Sequence, residues 1–234
     1  MKRIILTLTA ALIIPALVCG QDLNEVIKKY SDASGLAKLS GYNSLVVEGN
    51  VNQMGMSMDM RLMEKKPGKL KMVTTFSGMD IVQVINGNTG YTINPMMGST
   101  EPVELPADQL AQAESSSMLS NNIEKLLKEG SLELTGKSNF GDESAYEVKA
   151  LTDAGTVFFY ISDKTHQLIG SKTTVSQMGQ QFDVETRMKE IKDFEGVMLP
   201  SVSETYVNGA LSATITFNSI KFNVPIPDSE FEKK

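Results

Sequence analysis

Tryptophan is absent from the 234 residues, and histidine and cysteine occur once each, as His166 and Cys19. These absences exclude multi-histidine zinc centres, cysteine-rich metal sites and disulfide scaffolds, and they leave a Ser-His-Asp assembly only one histidine to use. Basic residues are few: 22 Lys and Arg stand against 28 Asp and Glu, for a net charge of −6. A nucleic-acid groove must neutralise phosphates, so no nucleic-acid partner is expected. No Gly-rich phosphate loop leads a helix, and no nucleophile elbow occurs. The EKK ending reads as a frayed polar tail. What remains is ordinary globular material, 41% hydrophobic and 21% charged, of a length that several β architectures fill as one unit.

The first residues read as an export signal. Lys2 and Arg3 precede an apolar run from Ile4 to Val18 that is too short and too interrupted, by Thr7, Thr9 and Pro15, for a membrane span. Cleavage after Gly20 would separate a signal peptide, residues 1–20, from a single domain over 21–234, with Gln21 as the mature N-terminus. The competing reading makes Cys19 a lipid-modified cysteine, although Val18 and Ala16 fit a lipobox poorly. Losing Lys2 and Arg3 takes the basic count from 22 to 20, hence a net of −8 for the mature chain. The mature product is expected to be exported and soluble.

Hydrophobic spacing then changes along the chain. Leu23, Val26, Ile27 and Tyr30 recur at helical intervals behind a capping Asp22 and stop near Gly35. From Leu45 the period is two, with turns at Gly55, Pro67-Gly68, Ser77-Gly78 and the NGNTG stretch from Asn86 to Gly90. Alternation stops between Pro95 and Gly130, where Pro106 and the spacing of Leu110, Met118, Ile123 and Leu127 predict two short helices. It resumes from Ser131 to Phe222. About a dozen strands joined as a meander predict a mainly β protein with helices (α+β): a strongly curved antiparallel sheet forming an incomplete barrel lidded by short helices. Ser57, Asp59, Arg61, Lys69, Lys71, Asp183, Glu185, Arg187 and Lys189 predict a wet outer face. The inner face is apolar, and a few helices cannot fill its concavity, so an apolar cavity is expected.

The stretch IVQVINGNTGYTINP, Ile81 to Pro95, resembles the strand, glycine turn and strand ending in Asn-Pro of the LolA/LolB lipoprotein-carrier superfamily, and KKPGKLKM, Lys65 to Met72, resembles that family's segment of a basic residue, Pro and an extended strand. The resemblance implies a periplasmic carrier or chaperone that holds acyl chains of lipoproteins or other lipids and takes them toward the outer membrane. It implies a lid over residues 106–128, membrane donor and acceptor proteins, and no cofactor; a monomer is expected. The expected cavity lining is Val47, Val51, Met56, Met58, Met60, Leu62, Leu70, Met72, Phe76 and Ile93 from strands, with Leu110, Met118, Ile123 and Leu127 from the helical insert. The family's Arg before the Pro is linked to lid closure and ligand transfer. Here the residue is Lys66, a lid switch by resemblance, which offers a point charge in place of a planar fork.

Three bland or competing readings stand beside these. Met56, Met58 and Met60 share a face but lie roughly 7 Å apart along a strand. They read as adaptable cavity lining, as plain core, or as thioethers for Cu(I). His166 in the DKTHQ turn reads as a solvated turn residue, which disfavours an enzyme such as a lipid hydrolase. The alternative to a carrier is a non-enzymatic module of the same fold that senses envelope stress or lipid. Co-purified lipid favours the carrier, a specific protein complex without lipid favours the sensor, and turnover lost with His166 would be needed for the enzyme.

Overall fold

A computed structural model describes residues 22–107, 109–110, 117–119, 122–152, 155–177 and 179–233. The expected signal segment, Cys19 and Gln21, together with much of the 106–128 insert, lies outside them.

Helix α1, Leu23–Ser34, starts where the sequence predicts: the Asp22 side chain accepts the Asn24 amide at 3.2 Å. Gly35 ends it at φ 66°, a left-handed conformation that glycine adopts without cost from a Cβ. A 3-10 helix, Leu36–Gly41, follows. The chain then enters β1 Ser44–Gln53, β2 Met56–Lys65, β3 Lys69–Phe76, β4 Met79–Asn86, β5 Thr89–Asn94 and β6 Ser99–Glu104. Helix α2, Asn122–Lys128, leads to β7 Leu132–Phe140, β8 Glu143–Thr152, β9 Gly155–Ser162, β10 Leu168–Gln177, β11 Gln180–Phe194, β12 Val197–Val207 and β13 Ala210–Phe222.

All thirteen strands form one antiparallel sheet in the order β6-β5-β4-β3-β2-β1-β13-β12-β11-β10-β9-β8-β7. Neighbours in sequence pair as hairpins, except that β1 joins β13 and so ties the two halves together. Strands β6 and β7 remain as free edges, so the curved sheet does not close into a barrel. Register shifts where Glu48-Gly49 meets Ser219 and Phe217, a bulge that bends the strand. A Cβ on Gly49 would lie 2.1 Å from the Thr216 carbonyl oxygen, so glycine is required for the approach.

Two features depart from the sequence reading. Strand β6 lies where alternation was expected to stop. It pairs on one side only and contains Pro102, which an edge strand tolerates because its outer amides need no partner. The outer face, expected to be wet throughout, also carries apolar clusters. Val46, Met63, Val84 and Tyr91 lie there under the C-terminal residues Ile226 and Phe231, the latter 1% exposed. A C-terminal strap ahead of the EKK ending is fastened to this face: Lys71 pairs with Glu230 at 2.6 Å and Lys65 and Lys69 with Asp228, and the Tyr91 hydroxyl reaches the first residue of that ending, donating to the Glu232 carbonyl at 2.9 Å.

On the concave side, one cluster joins Leu36, Leu39, Leu45, Val47, Met60, Leu119, Val197, Ile220 and Phe222. A second packs Val26 and Ile27 of α1 and Ile123 of α2 onto Tyr146, Val148 and Ile161. The helices therefore cover the concave face of the sheet near both clusters.

Candidate functional site: a lidded apolar trough

Antiparallel partners point their side chains to the same face, so the register assigns each expected lining residue. Val47 faces Leu62, Val51 faces Met58, and Gln53 faces Met56; Leu62 in turn faces Met72, and Glu64 faces Leu70. Thus Val47, Val51, Met56, Met58, Met60, Leu62, Leu70, Met72 and Phe76 share the concave face. At about 3.3 Å per residue, the β2 column from Met56 to Glu64 runs ~26 Å. Ile93 is the exception. It pairs with Val82 in the alternation that contains Val84 and Tyr91, and it packs against the outer cluster under the C-terminal strap. A glycine-rich turn conceals this parity in the sequence, because one residue more or less flips the face.

Of the insert residues, Met118 packs against the first concave cluster beside Leu119. Ile123 and Leu127 belong to the second, with α1. Leu110 approaches the NGNTG turn: a Cβ on Gly90 would meet its side chain at 2.8 Å and that of Leu105 at 3.0 Å. The glycine of that motif therefore makes room for the insert as well as for the turn.

The sheet and the described part of the insert meet at one side chain, Glu64, to which the sequence reading gave no role. Glu64 is 2% exposed, and its carboxylate accepts from Ser117 Oγ at 2.8 Å, from the Met118 amide at 3.0 Å and from the Leu119 amide at 3.2 Å. Burying a carboxylate is costly, and three donors converging on it offset that cost. The signal available in the sequence was a lone Glu in the apolar parity of β2, two residues before Lys66. The Lys66 ammonium is placed elsewhere: it donates to the Leu39 carbonyl at 2.9 Å, tying the β2–β3 turn to the 3-10 helix. Both residues line a cleft of about 590 Å³ between the two β turns and the insert, with Leu70, Ile85, Leu110 and Leu119 as its apolar walls.

The convex face has a different character. Glu185 bonds Arg187 Nε at 2.6 Å and Lys172 at 3.3 Å; burial works to raise its carboxyl, but these two cations hold it below the usual range. The Arg187 guanidinium lies 4.4 Å from the centre of the Tyr206 ring. Burial, with Glu147 nearby, pushes the Tyr160 phenol up to about 12. These partners are satisfied among themselves and make a solvated charge ladder. His166 sits at φ 57° in the β9–β10 turn, where its amide donates to Ser162. The described residues contain no group of three His, Cys, Asp or Glu side chains able to hold a metal ion.

An open antiparallel half-barrel with helices across an apolar concave face defines the class of fold. No family model matches the sequence, and no curated protein matches it at the sequence level. Solved structures do match in shape. A LolA superfamily protein from Nitrosomonas europaea superposes with a TM-score of 0.58 at 12% identity, over 88% of this chain and 97% of that one. A DUF1329 family protein from Desulfovibrio piger gives 0.57 at 11%, over 88% and 97%. A domain assigned to outer membrane lipoprotein sorting from Vibrio parahaemolyticus gives 0.57 at 11%, over 89% and 95%. The chain has the fold of the LolA superfamily.

Proposed function

We propose that this protein is a periplasmic carrier that holds acyl chains of lipoproteins or other lipids in the trough and takes them toward the outer membrane. The observation that supports this most is the unbroken apolar column of β2, Met56 to Leu62, flanked by Val47, Val51 and Met72 and ending at a buried carboxylate bonded to the insert. An apolar concavity with one convergent polar group suits a long hydrophobic chain with a polar head. Four methionines, Met56, Met58, Met60 and Met72, line that column, and flexible thioethers adapt to varied chains. The carrier acts without catalysis, as a monomer that exchanges cargo with membrane donor and acceptor proteins. Glu64 fastens the lid, and Lys66 steadies the 3-10 helix beside it. No described helix is long and apolar enough to cross a membrane.

Mass spectrometry of lipids extracted from natively purified protein tests the reading. Acylated lipid should co-purify, survive replacement of Met56, Met58 and Met60 together by leucine, and be lost in Met58→Asp, which sets a carboxylate against acyl chains. Circular dichroism must show both variants folded. Lipid retained by a folded Met58→Asp protein, or a stable protein complex with no lipid at all, would overturn the carrier in favour of a sensor or another site.

A further inference from the structure

Among the described residues, nine large apolar side chains stand exposed, and eight of them sit at one end of the sheet. The register defines that end. Gln53 pairs with Met56 and also with Ala213, Phe76 with Met79, Asn94 with Ser99, Thr152 with Gly155, Gln177 with Gln180, and Val207 with Ala210. Six strand connections therefore emerge side by side along a single rim. Met54, 86% exposed, and Met56 belong to the first, Met79 to the second, and Met96 and Met97, the latter 83% exposed, to the third. Leu151, Val175 and Leu211 stand at the other three. The exception, Val103, lies on edge strand β6 opposite Thr92.

Charge is distributed in the opposite sense. Across residues 53–57, 76–80, 94–99, 151–156, 175–181 and 207–211, the described residues include one charged side chain, Asp80, which accepts from Thr75 Oγ1 at 2.7 Å. Asp153 lies outside the described residues. The turns at the far end carry Lys66, Asp142, Asp163, Lys164 and Glu195. Helix α1 and the 3-10 helix sit at that charged end: Lys66 reaches Leu39, the Tyr42 hydroxyl donates to the Glu195 carbonyl at 3.1 Å, and Ser34 bonds Gln167. Helix α2 instead leads into β7 at the rim end, where the Leu151 amide donates to the Ser131 carbonyl at 3.0 Å. The trough is roofed beside its charged turns and is open at the rim along β1, β3 and β13, where Val51, Phe76 and Ile215 are only half-buried.

Exposed apolar groups concentrated on one edge mark an interaction surface. These stand on separate tips strung along an arc of thirteen strands, roughly 58 Å at ~4.8 Å per strand spacing. A deformable lipid surface meets six such tips at once without needing a complementary shape. The six described tips carry no cation, and Lys128, which ends α2 at the same end, is followed directly by Glu129; attraction to anionic headgroups is therefore not the source of affinity, which leaves apolar insertion. We propose that this rim is a membrane-docking edge: its hairpin tips dip into a lipid bilayer regardless of headgroup charge and set the open mouth of the trough against the acyl layer. The proposal goes beyond the carrier reading and stands on the rim residues, of which Met56 alone also lines the trough.

Flotation of the purified protein with vesicles of phosphatidylcholine alone, at low and high salt, tests it. The protein should float in both. Combined Met54→Ser, Met97→Ser and Leu211→Ser should weaken partitioning on the order of tenfold or more, since it removes three insertions while leaving the fold's buried contacts in place. Val103→Ser, equally exposed but off the rim, should change nothing. Because the chain has no tryptophan, Met97→Trp provides a single reporter whose emission should shift to the blue and be quenched by brominated phosphatidylcholine. Binding that requires anionic lipid and vanishes in high salt would overturn the proposal. So would a triple-serine protein that floats like the parent, or a dimer in sedimentation that the serines dissolve without any effect on vesicles. A protein that co-purifies lipid yet never floats overturns the docking edge and leaves the carrier standing; one that floats but holds no lipid does the reverse.

Discussion

Replacing Glu64 by alanine should release the described lid residues from the sheet without unfolding the sheet. The carboxylate accepts three hydrogen bonds, two from the backbone amides of Met118 and Leu119 and one from the Ser117 hydroxyl. Bonds to a charged acceptor are worth roughly 1.5–3 kcal/mol each, but removing the carboxylate also relieves a desolvation cost of several kcal/mol. A net loss of about 2–3 kcal/mol in lid docking is therefore expected, which at ~1.4 kcal/mol per tenfold corresponds to a roughly 30- to 100-fold larger opening equilibrium constant. Hydrogen exchange reads this directly: the Met118 and Leu119 amides should lose protection, while Val47 in β1 should keep it. Glu64→Gln retains one carbonyl acceptor and should lose about half as much. Lys66→Met removes the bond to Leu39 and should leave the Met118 and Leu119 amides unchanged. Equal protection losses at Val47 and Leu119 would show that Glu64 supports the whole fold instead. A Lys66→Met protein with a freed lid would return the switch to Lys66.

The C-terminal strap should be a major part of the stability: Phe231→Ala empties a site that is 1% exposed and should cost about 3–5 kcal/mol in urea unfolding, whereas under 1 kcal/mol would mean the strap does not hold the outer cluster. Hydrogen bonds from Lys65 and Lys69 hold the Asp228 carboxyl below its usual range. The native state therefore binds fewer protons there than the unfolded chain. The strap's contribution is present above the ordinary Asp value and fades as pH falls through the depressed one, so Asp228→Asn should flatten this part of the acid limb of a stability–pH curve. At the alkaline end, burial pushes the Tyr30 phenol up to about 12. Between its ordinary value of about 10 and 12 the unfolded chain ionises first, so stability should fall as pH rises, and Tyr30→Phe should remove that fall.

The strands that position the trough were legible because hairpins are local. Lys69–Phe76 and Met79–Asn86 begin and end at the residues their turn signals mark, and the Asp22 and Gly35 caps bound α1 as the helical spacing predicts. Strand β6 was not legible, since a six-residue edge strand with a proline lacks the alternation that burial on one face imposes. The parity of Ile93 was hidden by the NGNTG turn that precedes it. Glu64 was read past because a single acidic residue among alternating apolar ones looks the same whether it faces water or three buried donors. The strap through Asp228 and Glu230 gave no signal of its own because their partners, Lys65, Lys69 and Lys71, lie more than 150 positions earlier in the chain.

By itself, the sequence determined the period-two strands, their turns, the capped first helix and the poverty of catalytic and cationic groups. Each of these follows from side-chain spacing and backbone preference over a few residues. Only the tertiary structure decided which face of each strand looks inward, where the helices lie across the sheet, and which carboxylate meets the insert. Those are outcomes of pairing β1 with β13 and of packing the helices against the concave face. Such contacts join residues far apart in the chain, and local spacing holds no record of them.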